Sequence, residues 1–123
     1  MLGDCAVCAN LPAVDLGRAK RFYREKVGLK VSRETDYDLM FEAGKGTMLY
    51  IYKRNPTRAD HTVASFEVKN LEDEVKQLRK KGVVFEEYDM PEIKTVNGIA
   101  TMGSEKAAWF KDTEGNILCI HQK

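Results

Sequence analysis

One hairpin is written twice in this chain, 69 positions apart. The first copy reads Leu39-Met-Phe-Glu-Ala-Gly-Lys-Gly-Thr-Met-Leu-Tyr-Ile-Tyr-Lys53, the second Ala107-Ala-Trp-Phe-Lys-Asp-Thr-Glu-Gly-Asn-Ile-Leu-Cys-Ile-His-Gln122. Phe41 falls on Phe110, Gly46 on Gly115, Leu49 on Leu118 and Ile51 on Ile120. In the second copy two apolar runs flank Asp-Thr-Glu-Gly-Asn, a turn signal with a physical basis. Asp and Asn bond their own backbone and tolerate left-handed geometry, and Gly takes positive φ without a Cβ clash.

The rest of the chain arranges itself around these copies. Cys5 to Leu11 is a short apolar run that reads as a strand stopping at Pro12. Asp15 then caps a helix over about Leu16 to Val27, with Leu16, Ala19, Phe22, Tyr23 and Val27 at helical spacing and Gly28 at its end. Leu29 to Glu34 reads as a strand before the first hairpin. Arg54 to Asp60 has linker composition, and His61 to Val68 alternates as a strand. Asn70 caps a second helix with Leu71, Val75 and Leu78 as its apolar stripe, ended by Gly82. Val83 to Tyr88 is strand-like again, and the polar stretch Asp89 to Gly103 leads into the second hairpin. Asp15-Leu16 matches Asn70-Leu71 at a shift of 55, so the second half carries about 14 extra residues, read as a loop over Asp89–Gly103. Each half is thus β-α-β-β-β, with modules 1–54 and 61–123. A long loop in a compact domain usually covers a site.

Composition excludes several classes of partner. At 123 residues the chain is one domain, able to bury about two thirds of its unfolded surface. Its 20 basic and 19 acidic residues cancel, leaving no field to hold nucleic acid or an anionic membrane. No apolar run approaches the roughly 20 residues of a membrane span, and Met1-Leu-Gly-Asp-Cys has no signal-peptide layout. The cysteines are Cys5, Cys8 and Cys119, an odd number. Cys5-Ala-Val-Cys8 has redox spacing, but alternation along a strand sends its thiols to opposite faces. The expectation is a reduced, cytoplasmic protein.

Strand periodicity also sorts the hairpin side chains into faces. Closing the second turn about Thr113-Glu-Gly115 pairs Phe110 with Leu118 and Trp109 with Cys119, and opposed residues share a face. Phe110, Leu118 and Ile120 then form an apolar face to pack under a helix, while Trp109, Cys119 and His121 form the other. In the first hairpin Phe41, Leu49 and Ile51 stand against Met40, Glu42, Met48, Tyr50 and Tyr52. Ala6, Cys8 and Asn10 join this mixed face from the first strand, and His61, Val63, Ser65 and Glu67 join that of the second half. Aromatic walls with a few polar tips suit a ligand pocket.

The paired modules resemble the vicinal oxygen chelate superfamily, which includes glyoxalase I, extradiol dioxygenases and bleomycin-resistance proteins. The resemblance is carried by Val14-Asp15-Leu16, Phe22-Tyr23, Gly28-Leu29 and Phe110-Lys-Asp-Thr-Glu-Gly-Asn116, with Thr113 where the common motif has Pro. It spans essentially the whole chain and implies an α+β fold of two tandem βαβββ modules, a curved sheet or half-barrel around a central cavity. It speaks for fold more than function, because the superfamily hosts many chemistries. Its metal-binding members place ligands, usually His, Glu or Gln, at positions that here hold Cys8, Tyr50, Val63 and Cys119. Valine cannot ligate, and two thiols do not complete a tetrahedral site. A rearranged set drawn from Cys8, Cys119, His61 and His121 is the alternative.

Two function classes stay open. One is a metal-free protein holding an aromatic or amphipathic small molecule, with no cofactor. Trp109, Tyr50, Tyr52, Met48, Cys8 and Cys119 would be its walls, His61, Glu42 and His121 its polar contacts, and Asp89–Gly103 its cover. The other is a lyase, isomerase or dioxygenase, either with an atypical divalent-metal site or using His121 or Glu42 for acid–base chemistry. Open sheet edges are a liability unless covered, and module pairing in the superfamily makes a homodimer the expected assembly.

Overall fold

The computed structural model describes residues 1–123, which fall into two compact units, Met1–Thr57 and Arg58–Lys123. The division lies within the linker read from composition. Each unit builds its own mixed sheet.

The first unit contains β1 (Ala9–Ala13), α1 (Leu16–Arg21), β2 (Lys30–Glu34), β3 (Asp38–Glu42) and β4 (Met48–Lys53), in sheet order β1-β4-β3-β2. Asp15 caps α1 by accepting the Arg18 N–H at 3.0 Å. The helical segment runs to Val27 as expected, but over Phe22–Val27 it widens into a π-helical turn. It ends where Gly28 adopts φ 89° and the N–H groups of Gly28 and Leu29 both reach the Tyr23 carbonyl at 2.9 Å. Ala19, Phe22 and Tyr23 are its buried residues, with the Tyr23 ring 5.7 Å from that of Phe41. Leu39 faces Ile51 and Phe41 faces Leu49 across β3 and β4, and all four are buried.

The second unit contains β5 (Thr62–Glu67), α2 (Leu71–Lys80), β6 (Thr95–Val96), β7 (Ile99–Met102), β8 (Glu105–Lys111) and β9 (Ile117–Gln122), ordered β5-β9-β8-β7-β6. The plan of the first unit recurs: β1 and β5 each run parallel to the last strand of their unit. Asn70 caps α2 through the Asp73 N–H at 3.2 Å, and Leu71, Val75 and Leu78 are buried. The turns repeat as well. Ala43 N–H donates to the Thr47 carbonyl at 2.9 Å and Asp112 N–H to that of Asn116 at 3.0 Å, with Gly46 and Gly115 at φ 76° and 85°. Phe110 pairs with Leu118 and Trp109 with Cys119, so the expected face assignment is the one observed. Phe110, Leu118 and Ile120 lie in the core, Phe110 edge-on to Phe85 with ring centroids 5.6 Å apart.

Three expected boundaries are corrected. The first strand is not Cys5–Leu11 but Ala9–Ala13, and it includes Pro12, opposite Tyr52. β1 is an edge strand with one neighbour, so an imide nitrogen without a hydrogen is tolerated there. Cys5 and Cys8 precede the strand and are not sorted by its alternation. Likewise β5 begins at Thr62, after His61, and its register shifts between Thr62 and Ala64.

The third correction concerns the long loop. Val83–Tyr88 forms no strand; it touches β8 through one bridge, Phe85 to Phe110, and the Glu86 N–H donates to the Trp109 carbonyl at 2.8 Å. The supposed loop contains a hairpin instead, β6 and β7, turned by Asn97-Gly98 at φ 53° and 78°. Two consecutive positive-φ residues give the hairpin twist that matches paired strands. β7 therefore takes the place beside β8 that β2 takes beside β3. The turn is clamped to its unit: Arg79 donates to the Asn97 carbonyl at 2.6 Å, and Glu87 accepts from the Gly98 N–H at 2.6 Å and the Thr95 hydroxyl at 2.7 Å.

Candidate functional site

In the first unit the sheet face opposite the buried leucines and phenylalanine gathers most of the expected residues. Tyr50 and Tyr52, two apart on β4, stack with ring centroids 6.3 Å apart and planes 18° off parallel. Both are half-buried, as are Met40 and Met48. Cys8 is half-buried at the strand entrance, its thiol donating to the Met48 carbonyl at 3.4 Å. Glu42 is exposed at the rim, 3.9 Å from Lys30.

The polar centre of this face is a residue the sequence reading passed over. Asp38 opens β3 opposite Tyr52 and is 18% exposed. Its Oδ2 accepts the Tyr50 hydroxyl at 2.7 Å, its Oδ1 accepts the Thr35 hydroxyl at 2.7 Å, and Arg33 approaches to 3.5 Å. Thr35 Oγ1 in turn accepts the N–H groups of Tyr37 and Asp38, both at 3.1 Å. The Tyr50 and Thr35 hydrogen bonds hold the Asp38 carboxyl below its ordinary value, and the same bond to Asp38 raises the Tyr50 phenol. Asp38 was legible in principle, since it is two residues before Met40 and shares its face.

In the second unit Trp109, Cys119 and His121 share the face away from Phe110. Trp109 is half-buried, with Tyr88 edge-on at 5.5 Å. Cys119 is buried, opposite Ser65 of β5. Burial pushes its thiol up, against the opposing effect of the Ser65 hydroxyl. Burial also raises the Tyr88 phenol, with help from Glu86. His121 lies at the rim, 3.9 Å from Glu67. No sequence signal placed Tyr88 here, because its segment is held by non-local contacts and not by a ladder.

His61 does not join this face as expected. Its side chain is 72% exposed on the bend before β5, with Nδ1 3.1 Å from the carboxylate of its neighbour Asp60. The register shift at Val63 breaks the alternation that would have carried it inward.

The residues at the metal-ligand positions implied by the resemblance do not fit a divalent ion. Val63 has no donor atom and the Tyr50 hydroxyl is bonded to Asp38. No group of three or more His, Cys, Asp or Glu side chains lies close enough together to hold a metal. Two of the four positions therefore carry side chains suited to packing or hydrogen bonding instead of ligation.

No helix is long and apolar enough to cross a membrane. No curated protein sequence matches the chain. Solved structures share its fold at low identity. An antibiotic-binding protein from a Streptomyces species is 19% identical with a TM-score of 0.70, covering 99% of this chain and 98% of its own. Lactoylglutathione lyase from Agrobacterium tumefaciens is 17% identical with a TM-score of 0.71, covering 97% and 93%. A fosfomycin resistance protein from Listeria monocytogenes, complexed with Mn(II), is 15% identical with a TM-score of 0.70, covering 98% and 90%. The family model of the Glyoxalase/Bleomycin resistance protein/Dioxygenase superfamily matches residues 6–120, and the chain belongs to that superfamily.

Proposed function

We propose that the protein binds a small molecule with a flat apolar body and a polar group, holding it without a divalent metal. The observation that carries this reading is the Tyr50–Tyr52 stack, a half-buried aromatic surface on the face away from the core, beside one hydrogen-bonded carboxylate. Such a surface gains affinity from stacking and area burial. Trp109 with Tyr88 offers a second aromatic surface in the other unit. The donor set at the expected metal positions favours binding over metal-assisted chemistry, and the antibiotic-binding structure with the same fold supports it. The three free thiols suit a reduced, cytoplasmic setting. A homodimer is the proposed assembly, since each sheet ends in strands with a neighbour on one side only.

Metal analysis of protein purified without added metal, together with a thermal-shift screen of flat aromatic compounds, tests the reading. The expected result is less than a stoichiometric divalent ion and a concentration-dependent rise in Tm with a subset of the compounds. A full equivalent of Zn²⁺ or Fe²⁺ would overturn it and favour a metalloenzyme of the superfamily.

A further inference from the structure

The Tyr50–Asp38 pair sets the polarity of what can hydrogen-bond to Tyr50. A tyrosine hydroxyl has one proton and two lone pairs, and ordinarily both donates and accepts. Here the proton is directed at Asp38 Oδ2, 2.7 Å away. The carboxylate is fixed as an acceptor in its turn, since Thr35 Oγ1 donates to its other oxygen at 2.7 Å and Arg33 lies beside it. Reversing the Tyr50 hydrogen bond would require a protonated Asp38, and the Tyr50, Thr35 and Arg33 contacts all favour the charged form. We infer that Tyr50 presents its oxygen as an acceptor only, so the ligand group that meets Tyr50 is a hydrogen-bond donor, an N–H or O–H on the edge of a flat aromatic body. The inference rests on the proposed binding function and adds the chemical class of the polar group.

The stacked tyrosines fix the geometry of this recognition. The Tyr50 and Tyr52 rings stand 18° from parallel with centroids 6.3 Å apart, one aromatic patch carrying two phenolic oxygens, of which that of Tyr50 has its proton directed at Asp38. The half-buried sulfur atoms of Met40 and Met48 on the same face are weak acceptors at most, whereas the Tyr52 hydroxyl beside Tyr50 keeps its ability to donate, so the donor requirement belongs to Tyr50 alone. An approaching ether or carboxylate meets a lone pair at Tyr50 where a proton is needed.

Two neutral fluorescent probes with the same ring system separate the possibilities: 7-amino-4-methylcoumarin and 7-dimethylamino-4-methylcoumarin. They differ in the N–H donors, and area burial alone favours the methylated one. Fluorescence titration of the wild-type chain is expected to show the amino probe binding roughly three- to tenfold more tightly, the range of one net hydrogen bond. Tyr50→Phe should abolish that preference, the ratio of the two probes' Kd values falling to about one or below, with circular dichroism reporting the fold. Asp38→Asn retains Tyr50 but lets the amide donate to the phenol, freeing its proton, and should reduce or reverse the preference. Equal or tighter binding of the dimethylamino probe to wild type, or a preference that survives Tyr50→Phe, overturns the donor inference alone. Binding of neither probe at concentrations up to solubility overturns the flat-ligand reading with it.

Discussion

Tyr50 and Asp38 are diagonal neighbours on adjacent strands, and the phenol of one donates to the carboxylate of the other at 2.7 Å. Directly opposite Asp38 is Tyr52, and directly opposite Tyr50 is Met40. A side chain as long as tyrosine spans the diagonal of an antiparallel pair. This makes β3 and β4 a polar as well as an apolar unit, and gives the pair a pH signature.

The Asp38 carboxyl is lowered in the folded chain, first by Tyr50 and then by Thr35. A depressed folded pKa contributes stability above the unfolded value, about 4, and that contribution is lost as pH falls through the folded value. Wild type should therefore exceed Asp38→Asn in Tm at pH 7, with the gap closing as pH falls below about 4. Tyr50 has the opposite sign: its raised phenol contributes stability below the unfolded value, about 10, lost as pH rises through the folded value. Thermal melts across pH 2–11 check both limbs. A constant gap between the two proteins across the acid range would contradict the assignment.

Asp112 closes the second hairpin from inside. Only 8% exposed, it accepts the N–H groups of Glu114 and Asn116 and the Asn116 side-chain amide, each at 2.8 Å. Asp112→Ala leaves the Asn116 N–H buried without its carboxylate acceptor and should cost about 2–4 kcal/mol in urea unfolding. A loss under about 0.5 kcal/mol, the scale of an ordinary surface substitution, would show that water replaces the carboxylate.

Gly98 has no room for a side chain. At φ +78°, a Cβ there would meet Arg79 Nη2 and Phe85 Cβ, both at 2.9 Å. Gly98→Ala should destabilise by more than about 1 kcal/mol and speed amide exchange across β6 and β7. Unchanged exchange would mean that the turn is not tied to α2.

Trp109→Ala tests the second aromatic surface. Trp109 lies edge-on to Tyr88 and only part-buried, whereas Phe110 is in the core. If the surface contacts ligand, the variant should bind a screen hit more weakly by about 1–3 kcal/mol while remaining folded. A fall in Tm with unchanged affinity of the folded protein would make Trp109 a purely structural residue.

Thiol reactivity should follow exposure. Cys5 is exposed, Cys8 half-buried and Cys119 buried with its thiol pushed up by desolvation. A disulfide-exchange reagent at pH 8 should modify Cys5 first and Cys119 only on unfolding. Mass mapping of partly modified protein reads the order, and early labelling of Cys119 would contradict its burial.

Local chemistry carried most of the fold. Asp15 and Asn70 bond the first turns of their helices, Gly28 and Gly82 turn left-handed after them, and the two hairpins close in the same register. These depend on backbone preferences and on a side-chain period of 2 within a strand, and both are written in consecutive residues. The faces of the hairpins followed from that register, and so did the grouping of Tyr50, Tyr52 and Met48 apart from Phe41 and Leu49.

Tertiary structure decided what consecutive residues could not. Val83–Tyr88 has strand composition, yet β7 occupies the ladder beside β8, because the Asn97-Gly98 turn is fixed by Arg79 and Glu87 from elsewhere in the chain. A shift of one residue at Val63 left His61 in solvent, since alternation carries across a strand only while its pairing is unbroken. Asp38 became the polar centre of its face through a diagonal reach to Tyr50 across the strand pair, a relation that depends on side-chain length and strand spacing and that no pattern along one strand contains.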